Sequence, residues 1–438
     1  MSNELCTFCW QISNKDYLSK CKSCNNRDYG RCYQCGEIKV KSNWCLGCKP
    51  LEVIPTFQFW TSGNEEVDKL IQENQLNPDW DYLKWIEFDE IVDIQFLSKG
   101  GFGSVYTAKW KNMDVALKKL NDSTIISKDF IDELRAHTEN YSHTIAQIYG
   151  LTRDSNTKEY ALVMSYYPGG DWRKVIRDKD SPLLWEDKLG IIYDIANALA
   201  VIHENGFVHC DLHPGNTLKG EFGTYLSDLG LCKPVNYQLK KTDEVFGIIP
   251  YMAPEVLDGK PYTPASDVYS LGIIIWELAA RKAPFKDRPH DANLIMDIFD
   301  GRTFPKTNKT IPYKIEELMK SCCHKDPSKR PSSKEIVRTA YVLHSTLKYE
   351  YENIEYYESF KKADEEIEKS WTNVNNDDDD DDDDYKSIHP GAHYASRSLT
   401  QEIKTAKIMI NRRQDNRDDE EMLQWSDSDL VTDDYEDN

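Results

Sequence analysis

The run Val208-His209-Cys210-Asp211-Leu212-His213-Pro214-Gly215-Asn216 is followed, after a strand-like stretch, by Ser227-Asp228-Leu229-Gly230. An aspartate, an asparagine five positions on and an Asp-x-Gly behind a strand form a proton-transfer and metal constellation. Asp211 suits accepting a hydroxyl proton, and Asn216 and Asp228 suit holding magnesium against a transferring phosphoryl group. Upstream, Leu97 to Val105 is a glycine-rich turn between two strand-like runs, and Gly100, Gly101 and Gly103 let the backbone approach phosphates and offer them amides. Val115-Ala116-Leu117-Lys118 is a strand ending in a lysine. A helix expected over 127–140 carries Glu133, placed to pair with Lys118 and align nucleotide phosphates.

A second chemistry sits at the start of the chain. Of twelve cysteines, eight fall in the first 48 residues as C-x-x-C pairs: Cys6/Cys9, Cys21/Cys24, Cys32/Cys35 and Cys45/Cys48. Two such knuckles supply the four thiolates of a tetrahedral zinc, so four imply two structural Zn2+ ions, paired either sequentially or crossed. Gly36 and Gly47 suit turns that aim backbone amides at the sulfurs. A disulfide framework or redox dithiols are the alternatives; the first needs an oxidising compartment and the second usually comes singly beside a βαβ pattern. About 50 residues hold little core, so metal would supply most of the folding free energy. Such a module binds a partner more readily than it does chemistry.

These blocks are carried by short strands from about Ile91 and by longer helical patterns further on. Ala253-Pro254-Glu255, Ser266-Asp267-Val268-Tyr269-Ser270-Leu271-Gly272, Trp276-Glu277 and Arg330-Pro331 follow in order. In this order and spacing the chain resembles a eukaryotic protein kinase over roughly Asp89 to Leu347. The Asp267 to Ser270 block and Trp276-Glu277 are more similar to the tyrosine-kinase-like branch. The Asp211 to Asn216 and Phe246 to Tyr251 runs, with Trp60 to Asn64 ahead of them, resemble a kinase family expanded in certain fungi.

The resemblance implies an α+β, bilobed fold with a small mainly-β lobe and a large mainly-α lobe. It implies an ATP- and Mg2+-dependent protein kinase, acting on Ser/Thr more than Tyr in signal transduction. Asp211, Lys118, Glu133, Asn216, Asp228 and His213 would be catalytic. Gly100, Gly101, Gly103, Val105, Ala116, Lys118, Met164, Ser165, Tyr166 and Asp171 would bind the nucleotide. Glu255 would pair with Arg330, and Asp267 would cap the catalytic-loop backbone. An ATP-binding pseudokinase scaffold, with zinc module and tail as interaction arms, is the alternative.

Three departures bear on activity. Cys210 replaces the arginine that grips a phosphorylated activation segment, and 229–250 offers only Tyr237 and Thr242 as acceptors. His213 replaces a lysine that meets the γ-phosphate, and Ile248 a threonine that bridges to the catalytic aspartate.

Charge sets the outer boundaries. Lys+Arg 54 against Asp+Glu 75 gives −21. Residues 1–49 hold eight basic and four acidic side chains, while 361–438 hold ten basic and twenty-four acidic, including Asp377 to Asp384. Such a run repels itself too strongly to pack. The reading is therefore a zinc module at 1–49, a linker with a short helix at 50–88, the kinase domain at 89–348 and a mostly disordered acidic extension at 349–438. Its Ser426, Ser428 and Thr432 could take phosphate, though such a run more often only solubilises. An acidic chain is a poor nucleic-acid binder, and no run reaches the ~18 apolar residues of a membrane span. Protein substrate, a partner for the zinc module and a cytoplasmic or nuclear location are expected.

Overall fold

The computed structural model describes residues 30–41, 44–45, 47–77, 83–100, 103–120, 126, 128–178, 182–235, 237, 244–301, 311–349, 354–374 and 388–413. They form two compact units, 1–166 and 167–438. Cys6, Cys9, Cys21, Cys24 and Gly101 lie outside the described residues.

In the first unit, β1 (Lys39–Lys41) and β2 (Trp44–Cys45) form a small hairpin. Helix α1 (Lys49–Val53), a 3-10 turn (Ile54–Phe59) and α2 (Glu65–Leu76) follow. Then come β3 (Lys84–Trp85), β4 (Ile91–Lys99), β5 (Gly103–Trp110), β6 (Met113–Leu120), α3 (Lys128–Glu139), β7 (Ile148–Arg153) and β8 (Tyr160–Ser165). The sheet order is β3-β7-β8-β6-β5-β4, antiparallel except for β3 beside β7. Residues Lys111 and Asn112 both take positive φ between β5 and β6, the left-handed pair that closes a two-residue hairpin. Strand alternation sends Val115, Leu117, Ala161 and Val163 into one core with Trp110 and Ile86.

The segment expected to be a linker holds its helix and more. Asn64 caps α2, its Oδ1 accepting from Glu66 and Val67 amides at 3.0 and 3.2 Å. The helix buries Val67, Leu70 and Ile71, one stripe at helical spacing. Asn74 and Gln75 then clip Leu83 by its amide and carbonyl, both at 2.8 Å, and β3 joins the sheet. Tyr160 donates its hydroxyl to Ser62 O at 2.7 Å.

The second unit contains α4 (Trp172–Arg177), α5 (Trp185–Glu204), β9 (Phe207–Val208), β10 (Thr217–Lys219), β11 (Thr224–Leu226), β12 (Lys233–Pro234), β13 (Phe246–Gly247) and α6 (Pro254–Leu257). Helices α7 (Pro264–Ala280), α8 (Ala292–Phe299), α9 (Tyr313–Cys322), α10 (Ser333–Tyr349) and α11 (Ile354–Val374) complete it with β14 (Arg397–Ser398) and a last helix, α12, over 400–413. Helix α7 is buried from Ser266 to Ala279, so it is the pillar around which the others pack.

The expectation of a mostly unfolded extension beyond 349 does not hold for 354–374 and 388–413. Helix α11 buries Phe360 and Ala363, and Phe360 meets Trp185 edge-on at 5.8 Å. Leu184 offers no side-chain cap to α5; Asp364 Oδ1 accepts the Trp185 amide instead, at 2.9 Å. Strand β14 pairs with β13.

Candidate active site

The first unit brings one set of expected residues onto one sheet face. Val105 lies opposite Lys118, and Ala116 opposite Met164. Directly opposed residues share a face, so these four stand on the side away from Val115 and Leu117. Lys118 Nζ meets Glu133 Oε1 of α3 at 2.6 Å, with both side chains buried. Gly100 N donates to Gly103 O at 2.8 Å, closing the described part of the glycine turn. Ser165 donates to the Tyr149 hydroxyl at 2.9 Å.

The second unit holds the other set. Asp267, rising from the buried start of α7, accepts the His209 and Cys210 amides at 2.8 and 3.0 Å and the His203 ring at 2.9 Å. Burial keeps the His209 imidazole below its ordinary pKa. Its Nδ1 accepts the Asp211 amide and its Nε2 faces Ser227 O, both at 3.3 Å, so one ring ties the Asp211 loop to the Asp228 loop. Asn216 donates from Nδ2 to Asp211 O at 2.9 Å, which leaves its Oδ1 as an oxygen donor for a cation. Asp228 takes φ 59° and accepts the Gly230 amide at 3.3 Å. Hard oxygen donors of this kind suit magnesium.

His213 has a partner that the sequence reading missed. Arg173 Nη2 lies 3.0 Å from His213 Nδ1, and arginine can only donate. The ring proton therefore sits on Nε2, 3.6 Å from Asp211 Oδ2. A Cβ on Gly215 would stand 2.8 Å from the Arg173 guanidinium, so the glycine leaves room for it. Asp171, expected near a ribose, caps α4 by accepting the Lys174 amide at 3.2 Å. Glu255 and Arg330 meet in two parallel bonds of 2.6 and 2.8 Å, the bidentate pair that the resemblance implied.

Residues 91–342 match the family model described as Protein kinase domain. The chain belongs to the protein kinase family. It is 32% identical over 261 residues to gdt4, a probable serine/threonine-protein kinase of Dictyostelium discoideum, covering 56% of this chain and 16% of that protein. It is 34% identical over 259 residues to mitogen-activated protein kinase kinase kinase 7 of Homo sapiens, covering 58% of this chain and 42% of that one. Over 258 residues it is 30% identical to MDIS1-interacting receptor like kinase 2 of Arabidopsis thaliana, covering 54% of this chain and 24% of the relative. The chain thus spans less than half the length of these curated relatives.

The kinase keeps a neutral group where the arginine is absent: Cys210 is buried at φ 69°, and burial pushes its thiol well above the usual range. Ile248 is buried too and carries no hydroxyl to reach Asp211. Cys210, Cys232, Cys322 and Cys323 are all buried thiols.

Away from this chemistry, the third and fourth knuckles come together. The sulfurs of Cys32, Cys35, Cys45 and Cys48 all lie within 4.8 Å of one another. Cys32 and Cys48 are 3.9 Å apart, and Cys35 and Cys45 3.2 Å. A tetrahedron with Zn–S of about 2.3 Å has edges of about 3.8 Å, so the donor set fits zinc. Amides of Cys35 and Gln34 aimed at Cys32 lower its thiol to about 7, while the crowded neighbouring thiols push Cys48 up to about 12. Adjacent knuckles sharing one site is the sequential arrangement for this half of the module.

Proposed function

We propose that this kinase transfers the γ-phosphoryl group of ATP, with magnesium, to a protein Ser or Thr hydroxyl. The observation that carries the reading is the Asp211 loop. Asp211 and Asn216 are bonded to each other, fixed through His209 to the Asp228 loop and anchored by Asp267. Asp211 accepts the proton of the attacking hydroxyl; Asn216 and Asp228 hold the cation, which when bound neutralises phosphate charge. Lys118, fixed by Glu133, orients the phosphates, and Val105, Ala116 and Met164 offer one apolar face for adenine. His213 presents an N–H beside Asp211 where the resemblance puts a lysine.

The relatives named serine/threonine kinases support the hydroxyl class, and the similarity to a mitogen-activated protein kinase kinase kinase supports the tyrosine-kinase-like branch. The fungal likeness, carried by Trp60 to Asn64 and Asp211 to Asn216, is the finer part of the reading. Zinc would be held by Cys32, Cys35, Cys45 and Cys48, with a second ion on Cys6, Cys9, Cys21 and Cys24, as a structural module for a protein partner. Thiolate ligands suit a reducing cytoplasm or nucleus.

Purified protein with magnesium and ATP should phosphorylate a generic protein substrate, and Asp211→Asn should lower kcat by about 10²–10⁴-fold. Equal inactivity of the two, with ATP bound by both, would replace the enzyme by a nucleotide-binding scaffold. Metal analysis of native protein should give two zinc ions per chain.

A further inference from the structure

Residues 388–413 lie along the second unit and are bonded to it throughout. Strand β14 sets Ser398 opposite Phe246 and Arg397 opposite Gly247, antiparallel. Leu399 N extends this ladder to Val245 O at 2.8 Å, and Val245 N reaches the Thr400 hydroxyl at 3.4 Å. Upstream, His389 N donates to Lys286 O and His290 N to Gly391 O, each at 2.8 Å. Tyr394 donates its hydroxyl to Pro284 O at 2.8 Å, with the Arg177 guanidinium 4.9 Å from its ring centre. Leu399, just ahead of α12, and Ile403 and Ala406 within it are all buried.

A chain of mostly buried contacts runs from beneath this segment to the catalytic loop. Arg177 holds Glu277 at 3.4 Å, and Glu277 accepts the Tyr251 hydroxyl at 2.5 Å. The Tyr251 ring lies 6.1 Å from the ring of His213, whose Nε2 is 3.6 Å from Asp211. Strand β13 belongs to the segment that runs from Asp228 to Glu255. It pairs through one edge with β14, and an unpaired strand edge is the surface to which an extended peptide adds itself.

We propose that residues 388–413 form an internal strap, seated on the edge where an extended protein substrate would lay its backbone, and that the substrate must displace it. This rests on the kinase reading above. Two of the strap's hydroxyls are withheld: that of Tyr394 is engaged on Pro284, and Ser396 Oγ is buried. The strap is also built to leave. Ser396 Oγ and Arg177 Nε are buried without a hydrogen-bond partner among the described residues, and each orphan costs about 1–3 kcal/mol. Five basic side chains against one acidic mark 388–413 off from the aspartate run before it.

The test uses the full chain carrying Tyr394→Ala, Arg397→Ala and Leu399→Asp together. A second variant, Arg397→Pro, removes an amide on the side of the strand that faces β13 and so breaks the ladder at its Gly247 pairing. Hydrogen exchange at the Leu399 amide reports release of the strap. A labelled 388–413 peptide should bind both variants and not the wild type. With casein as substrate, KM should fall about tenfold while KM for ATP stays unchanged. A released strap with no peptide binding, or with an unchanged casein KM, overturns the proposal. Peptide binding without phosphate transfer by any of the proteins upholds the docking edge and sinks the kinase reading instead.

Discussion

The catalytic loop and the activation segment are neighbours in sequence but are held by different means. From Val208 to Asn216 the loop is fixed by buried groups that belong to the core: Asp267 on two amides, the His209 ring on a third, Asn216 back onto Asp211. The activation segment has one strand, β12, paired to β9, and another, β13, paired to a strand about 150 residues later. Its far end is tied by Glu255 to Arg330. The groups that do chemistry are thus set once by folding. The groups that would admit a substrate depend on a contact that can be withdrawn. Cys210 fits this division, because a neutral buried thiol gives a phosphorylated segment nothing to grip.

Arg330→Ala tests the fixed end of the segment and should have the largest effect. It strands a buried Glu255 carboxylate, so denaturant unfolding should show a loss of about 3–5 kcal/mol. In the loop, Asp267→Asn removes a charge-assisted acceptor from two buried amides and should cost about 1–3 kcal/mol in the same measurement, with kcat falling as well. A smaller stability shift leaves the loop less dependent on the core than the comparison holds.

Lys188, on the helix that leads into the loop, gives a pH test. Burial, opposed by Asp364 and helped by Arg281, lowers its amine to about 7. Between pH 7 and 10.5 the unfolded chain binds a proton here that the folded chain does not. This site therefore makes stability rise with pH across that window, by up to about 1.4 kcal/mol per pH unit, and the gain is absent below pH 7. Lys188→Met should flatten that slope in thermal unfolding.

Arg173→Ala should lower kcat about tenfold, a loss of about 1.4 kcal/mol in barrier terms, and leave KM for ATP unchanged. Arg173→Lys should restore only part of it, because lysine lacks the fork. The smallest effect is expected from Tyr237→Phe with Thr242→Val: activity should stay within about twofold, since Cys210 stands in place of the arginine that would grip a phosphorylated segment. A large loss there would return control to phosphorylation.

The chemistry was legible because it is local. Asp211 with Asn216, and each C-x-x-C pair, declare themselves within six residues. Long-range partners were not. Nothing in the sequence joins Arg173 to His213, forty positions away, or Asp364 to the bare start of α5, where Leu184 only hints that a cap must come from elsewhere. Strand β3 is two residues long and has no period to read. The strap was hidden by averaging: its basic stretch was pooled with the aspartates before it. The signal was there, because Leu399, Ile403 and Ala406 repeat at helical spacing directly after an extended run.

Cys48 closes the four-sulfur cluster and is also the N-cap residue of α1. From there the chain is helical through α1 and the 3-10 turn to Phe59, three residues before Ser62 is held by Tyr160. Five α and six 3-10 residues make a contour of about 20 Å with no loop in it. A partner gripped by the knuckles would therefore be carried on a short strut at a set reach from the sheet, and not sampled through the volume a loose tether sweeps.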